Sequence, residues 1–292
     1  MDAPPIRFPI RILSDLHLGH SGCLVRQVEE LRPLVEGAGT IVLNGDTLEE
    51  RARNFRARSD AMVAALRELC RVEGADVVVL TGNHDPSVSD VHYLDLLGGR
   101  VFVTHGDALF KMISPWSKRI DRSRAAIEAI RAEYSEEQLD DLDTRMELTK
   151  RSCFEMSAFE SEMAPGLWSR LWTFGAELWP PRRPWAILTS WATAAPRAFR
   201  LLRRYRPQAE VMVIGHTHRP GVWRNGDKTV VNTGGFLAIL NAWVVEIAGD
   251  GNISLRKVER RHPDGFAYSK TKQISRCPRE HFHPHPHPSH DN

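Results

Sequence analysis

Five short polar clusters stand at the ends of apolar runs in this 292-residue chain: Asp15-Leu16-His17, Gly45-Asp46, Gly82-Asn83-His84-Asp85, His105-Gly106 and Gly215-His216-Thr217-His218. Carboxylates, an amide and imidazoles in that supply could hold two divalent metal ions. Two such ions, roughly 4 Å apart, can clamp a phosphoryl group and activate water. Holding them takes one carboxylate able to bridge both, with neutral ligands on either side. Asp46 is the natural bridge, since it follows Thr40-Ile41-Val42-Leu43-Asn44 and Gly45 lets the chain turn without a side chain crowding the ions. Asp15 and His17 share a face because alternate residues of an extended chain do, and His216 and His218 repeat the pattern. Asn83 can offer a carbonyl oxygen and His105 a further ring nitrogen. Any one cluster alone occurs by chance; all five, each where a strand stops, are more than folding requires. Strand ends are where open α/β sheets bind ligands.

The elements that must position these groups alternate in the first third of the chain. Apolar runs near 10–15, 40–44, 76–81 and 100–105 are interleaved with helical patterns near 23–35, 53–72 and 88–97. That rhythm predicts right-handed βαβ units and a largely parallel sheet. After residue 207 the runs near 210–214, 228–232, 241–247 and 253–258 are separated only by turns such as Asn225-Gly226-Asp227, which predicts a meander. The expected result is two packed sheets with helices outside and the clusters along one edge.

Residues 109–206 differ from both halves, with helical periodicity and no convincing strand. Near 121–163 the segment is acidic, with helix-spaced partners such as Glu147 and Arg151. Residues 164–206 carry five tryptophans, Trp168 and Trp172 among them, and eight arginines, including Arg170, Arg182 and Arg183, against the single acid Glu177. Such a surface suits apolar chains and phosphates together; a helical hairpin with tryptophans in its own small core is the plainer alternative. From 263 to 292 the apolar pattern fades into a His/Pro-rich tail, expected to be disordered.

Composition narrows the class. Hydrophobic content of 42% and charged content of 26% allow a full core, so this is not a disordered protein. The four cysteines lie far apart with no Cys-x-x-Cys pair, which argues against a zinc ribbon or a disulfide framework. The first residues lack a signal-like apolar stretch, and no run reaches the roughly 18 apolar residues of a membrane span. A cytoplasmic setting is expected, with peripheral contact to the inner face of the membrane through 164–206. A net charge of +2 decides nothing about nucleic acid. The aromatic and basic residues concentrate in one insertion rather than along a groove, so no nucleic-acid partner is expected.

The set Asp15-x-His17, Gly45-Asp46-x-x-Glu49, Gly82-Asn83-His84-Asp85, His105-Gly106 and Gly215-His216-x-His218 resembles the calcineurin-like metallophosphoesterase superfamily over about 10–108 and 207–260. The resemblance implies an α/β fold, a four-layer α/β/β/α sandwich of two mixed sheets with a helical insertion. Its core would be 1–108 with 207–262, interrupted by a Trp/Arg-rich lid at 109–206. It implies one metal held by Asp15, His17, Asp46 and His218, and a second by Asp46, Asn83, His105 and His216. His84 would face the phosphate, with Asp85 orienting its ring. Carboxylate and imidazole without thiolate suit Mn²⁺, the expected metal, and also Fe or Zn²⁺.

Within the superfamily, Ser14-Asp15-Leu16-His17-Leu18-Gly19, Gly215-His216-Thr217-His218-Arg219-Pro220 and the insertion resemble UDP-2,3-diacylglucosamine pyrophosphohydrolases of the lipid A pathway. That subfamily usually carries arginine at the place of His84. The resemblance implies cleavage of a phosphodiester or pyrophosphate bond in a lipid-linked substrate, giving UMP and an acylated sugar phosphate, with Trp168, Trp172, Arg170, Arg182 and Arg183 as substrate contacts. The alternative is a soluble phosphodiesterase acting on nucleotides or small phosphoesters, its insertion serving dimerisation. A scaffold role is not expected, because no ligand is missing. Oligomeric state is left open.

Overall fold

The computed structural model describes residues 6–50, 56–115, 117, 120–157, 182–237, 241–261 and 265–276. Sheet one contains β1 (Ile10–Leu13), β2 (Thr40–Asn44), β3 (Asp76–Leu80), β9 (Trp243–Ile247), β10 (Asn252–Arg261) and β11 (Gly265–Arg276), in the order β11-β10-β9-β1-β2-β3. Sheet two contains β4 (Tyr93–Leu96), β5 (Val101–Thr104), β6 (Val211–Ile214), β7 (Gly221–Asn225) and β8 (Lys228–Asn232), in the order β4-β5-β6-β8-β7. The strands β1, β2 and β3 run parallel, as do β5, β6 and β8, while the remaining pairings are antiparallel. Both sheets are therefore mixed.

Period-two alternation dictates the layers. Ile10, Ile12, Val42, Val78 and Leu80 of sheet one meet Val101, Val103, Val211, Val213 and Val231 of sheet two in the central core. The alternate residues Leu13, Ile41, Leu43 and Val79 face outward onto the helices α1 (Arg32–Val35) and α2 (Arg56–Val72). On α2 the buried Val63, Leu66, Leu69 and Cys70 follow helical spacing. On the far side Phe102, Met212, Ile214 and Val230 pack under α5 (Arg182–Tyr205). Two further helices, α3 (Ile120–Ala132) and α4 (Leu142–Ser157), pack against each other, with Ile127 and Cys153 in one shared cluster. The four-layer α/β/β/α sandwich is thus present.

Several expectations need correction. Residues 93–96 form a strand rather than part of a helix, since Tyr93-Leu94-Asp95-Leu96 alternates in burial. The helical stretch expected near 23–35 is confined to 28–35, a 3-10 turn at Val28–Leu31 leading into α1, and 23–27 are irregular. The second half does not simply meander, because β6 joins both β5 and β8 in parallel. Glu147 faces His92, and Arg151 bonds Glu133 and Tyr134 instead of Glu147.

The expected disordered tail begins too early at 263, for β11 runs to Arg276. Its lysines and serines suit an edge strand, and Phe266 and Ile274 carry its burial. The division of the chain at 206 also fails for α5, which is the outer layer of the core itself. The small residues Ala194, Ala195 and Ala198 let it lie close on sheet two. Residues 277–292, with the His/Pro tract, lie outside the described residues.

Phe266 is buried with its ring 5.4 Å from that of Phe236, tying the last strand to the loop behind the polar clusters. Phe266→Ala should cost about 3–5 kcal/mol of stability in urea unfolding. A loss under 1 kcal/mol would mean β11 is not part of the cooperative core.

Candidate metal centre

Every cluster follows the carboxyl end of a parallel strand: Asp15 and His17 after β1, Asp46 after β2, Asn83 to Asp85 after β3, His105 after β5, His216 and His218 after β6. The two sheets are stitched together at this edge. Asn44 donates its amide to the Thr104 carbonyl at 3.0 Å, and its own carbonyl accepts from His105 Nδ1 at 3.0 Å. The Phe236 amide donates to the Asp15 carbonyl at 3.0 Å, while Gly215 donates to the His105 carbonyl at 2.8 Å.

The side chains converge in two groups. In the first, His218 Nε2 lies 3.1 Å from Asp15 Oδ1 and 3.2 Å from His17 Nε2, and His17 Nε2 lies 3.6 Å from Asp46 Oδ2. In the second, His105 Nε2 lies 3.4 Å from Asp46 Oδ1 and 3.3 Å from Asn83 Oδ1, which is 2.7 Å from His216 Nδ1. Asp46 presents one oxygen to each group, as a bridging carboxylate must. All seven residues expected as ligands are brought together.

Proton accounting shows what belongs between them. His105 donates Nδ1–H to Asn44, so once Nε2 gives up the proton that Asp46 holds there, the ring turns a lone pair towards two oxygens. His216 donates Nε2–H to the Ile113 carbonyl at 3.0 Å, which leaves Nδ1 bare against the Asn83 oxygen. Acceptors facing acceptors in a buried site repel unless a cation joins them. Burial first, then the charge of His105, pushes His216 down to about 3, so its ring is the neutral ligand form. The donor set therefore fits two divalent cations.

The charges agree. Burial would raise the carboxyls of Asp15 and Asp46, yet the facing imidazoles, His218 for Asp15 and His105 for Asp46, hold both below the ordinary carboxylate value, Asp46 well below. Burial would lower His105, but the Asp46 carboxylate raises it well above an ordinary imidazole. Among the described residues no lysine or arginine pairs with Asp15, Asp46 or Asp85.

Backbone geometry marks the same residues. Asp15, His17, Asp46, His216 and His218 have φ of 53°, 47°, 50°, 65° and 54°, in the left-handed region that non-glycine residues rarely enter. Strain of about 1–3 kcal/mol each is tolerated where it aims a functional group. At Gly215 a side chain would collide with Asp15 Oδ2 at 2.2 Å, and at Gly45, with φ of 75°, it would strike the His105 ring at 2.5 Å.

The role expected for Asp85 is wrong. Its carboxylate does not touch the His84 ring; it accepts main-chain N–H bonds from Asp46 (3.0 Å), Thr47 (2.6 Å), Leu48 (3.3 Å) and Gly82 (2.9 Å). It is a template for the turn that carries Asp46. His84 is oriented by Glu49, whose Oε2 lies 2.9 Å from His84 Nδ1 and 3.7 Å from His17 Nδ1. Burial would raise Glu49, but the imidazoles of His84 and His17 hold it well below the ordinary value. His84 also donates its main-chain N–H to Asp46 Oδ1 at 2.8 Å.

The sequence matches the family of calcineurin-like phosphoesterases over residues 8–220. The chain belongs to that family. It is a metal-dependent phosphoesterase, and its residue clusters provide for a dinuclear divalent site. No curated protein matches it significantly. Among solved structures it is similar to a dimetal phosphatase from Danio rerio, with 13% identity over 92% of this chain and 99% of that one, TM-score 0.46. It is also similar to Vps29 of Entamoeba histolytica complexed with zinc, with 12% identity over 91% and 97%, TM-score 0.42.

Sequence reasoning overlooked three supports of the phosphoesterase site. Glu49 stood within a recognised string but had no role; Asn44, a polar residue closing an apolar strand, was the signal for the cross-sheet stitch. The third is Trp191, whose indole Nε1 donates to the Thr217 carbonyl at 2.9 Å, between His216 and His218. The expected substrate contacts Trp168, Arg170 and Trp172 lie outside the described residues, and Arg182 and Arg183 open α5 without described side chains.

Two outcomes are expected. Asp85→Asn leaves main-chain N–H groups facing an amide NH₂ and should lower stability by about 1–3 kcal/mol in chemical unfolding; unchanged stability would return Asp85 to a role outside the turn. Metal must also displace the proton that Asp46 holds on His105. From the ordinary imidazole value of about 6.5 up to the raised one, Mn²⁺ affinity should therefore climb about tenfold per pH unit. Titration calorimetry from pH 6.5 upward reads this, and a flat profile would contradict it.

Proposed function

We propose that the phosphoesterase cleaves a phosphodiester or pyrophosphate bond in an amphiphilic substrate such as UDP-2,3-diacylglucosamine, giving UMP and an acylated sugar phosphate. The observation that carries this reading is the seat of Trp191: helix α5 is hydrogen-bonded directly to the loop bearing His216 and His218. The Arg219 guanidinium lies 5.5 Å from the centre of the Trp191 ring and closes the same corner. One and two turns back, Leu188 and Trp185 are 54% and 69% exposed. With a rise of 1.5 Å per residue, this apolar strip extends about 9 Å from the loop. An acyl chain lying along it would leave its phosphate at the metal centre.

Bound at the two groups, divalent ions would polarise the phosphoryl oxygens and lower the pKa of water. The chain's own residues do the rest. Asp46 ties the two halves of the centre together, and the main-chain N–H of His84 fixes one of its oxygens. Glu49 accepts from His84 Nδ1, favouring the imidazolium and leaving Nε2 to donate a proton to the departing oxygen. Mn²⁺ is the proposed metal, and contact of the 164–206 segment with an anionic membrane on the cytoplasmic side follows from the same basic, aromatic composition.

Hydrolysis of detergent-solubilised UDP-2,3-diacylglucosamine, followed by release of UMP, should exceed that of UDP-glucose by about 100-fold or more in kcat/KM. Each buried methylene of an acyl chain is worth about 0.8 kcal/mol. Equal kcat/KM for the two, or faster turnover of the sugar nucleotide without acyl chains, would sink the amphiphilic reading and favour a soluble phosphodiesterase.

A further inference from the structure

Between α4 and α5 lies a cavity of about 280 Å³ lined chiefly by Arg145, Arg197, Arg200 and Arg204, with Leu109 and Tyr205 between them. Only Arg204 meets a carboxylate among the described residues, that of Asp140. Two of the others are fixed rather than splayed into solvent. Arg145 donates Nε and Nη2 to the Ala108 carbonyl at 3.1 and 3.0 Å. Arg197 donates Nη1 to the Leu109 carbonyl at 3.2 Å and Nε to Thr193 Oγ1 at 3.3 Å. Arg200 has no hydrogen-bond partner among the described residues. An adjoining cavity of about 150 Å³ shares Arg145 and adds Lys111 and Arg131, so the cationic lining continues.

Like charges held at this spacing repel. Burial, and then the neighbouring Arg200 and Arg145, lower the Arg197 guanidinium from its ordinary value. Water relieves such crowding less well than an anion that accepts from several forks at once. None of the metal-centre residues lines the cavity. The Phe110 ring stands between the two, with the Arg197 guanidinium 5.2 Å from its centre and the His216 ring 5.6 Å away.

We propose that this cavity is a second anion site, separate from the metal centre, which binds a phosphate-bearing molecule through Arg145, Arg197 and Arg200. A diphosphate, with more oxygens to share among three guanidinium groups that meet no carboxylate among the described residues, should bind more tightly than a monophosphate. Leu109 and Tyr205 offer an apolar wall to an organic substituent. The carbonyls held by Arg145 and Arg197 belong to the chain that leaves His105, so an occupant would brace the segment behind that side chain.

The test uses the full chain and methylenediphosphonate, a diphosphate that resists hydrolysis. Asp46→Asn removes the bridging carboxylate and with it the metal-dependent binding of the probe, yet this variant should still take up one probe per chain in titration calorimetry. Adding Arg200→Gln, an exposed position with no bonds to lose, should weaken that binding about tenfold or more, while the thermal midpoint stays unchanged. Arg197→Lys, which keeps the charge but loses the fork, should fall between. Co-sedimentation with phosphatidate vesicles that Arg200→Gln abolishes, without binding of the free probe, would assign the phosphate to a lipid headgroup and still support the site. Binding of neither probe, or binding indifferent to Arg200→Gln, overturns the proposal. Because the measurement is made with the metal centre disabled, its failure is distinct from failure of the lipid-substrate reading.

Discussion

The constraint on which this structure turns is electrostatic. Asp15, Asp46 and Asp85 are withdrawn from water at the meeting edge of two sheets, and no lysine or arginine pairs with them among the described residues. Removing a carboxylate from water costs several kcal/mol per ion. Asp85 offsets part of that cost through four main-chain N–H groups, while burial and then the Asp46 charge still push its carboxyl up to about 7. Asp15 and Asp46 have fewer such bonds and face imidazoles instead, of which His105 keeps its proton against Asp46 until a metal displaces it. Such an arrangement is stable only around positive charge, and a pair of divalent cations supplies it.

The fold reads as a device for holding that arrangement open. Parallel strands from both sheets deliver their carboxyl ends to one edge, and Asn44 locks the sheets there with bonds in both directions. Left-handed backbone at five ligand positions turns the side chains inward, while Gly45 and Gly215 leave room for His105 and Asp15. Helix α5 then seals one corner through the indole of Trp191. Rigid elements set the geometry, and loops only a few residues long carry the chemistry.

The strand ends and the polar clusters could be read from the sequence because each rests on a local pattern: β-branched runs stopping at Asp, Asn or His, with glycine where the chain must turn. The pairing of β11 could not, since Ser269, Lys270, Thr271 and Lys272 suit an edge strand and a solvated coil equally well. The roles of Asp85 and Glu49 were exchanged for a similar reason. Adjacency in sequence favoured Asp85 as the partner of His84, but a strand-end turn aims consecutive side chains apart. The partner came from 35 residues earlier, across the sheet edge. Helix α5 misled by composition: its tryptophans and arginines suggested a separate lid, whereas its alanines are what seat it on the core.

The most direct test is electron paramagnetic resonance of the purified chain reconstituted with Mn²⁺, together with elemental analysis. Two ions per chain with the exchange-coupled spectrum of a pair sharing a carboxylate is the predicted result. A single ion per chain, or two ions with the spectrum of isolated Mn²⁺, would show that Asp46 does not join the two halves of the centre.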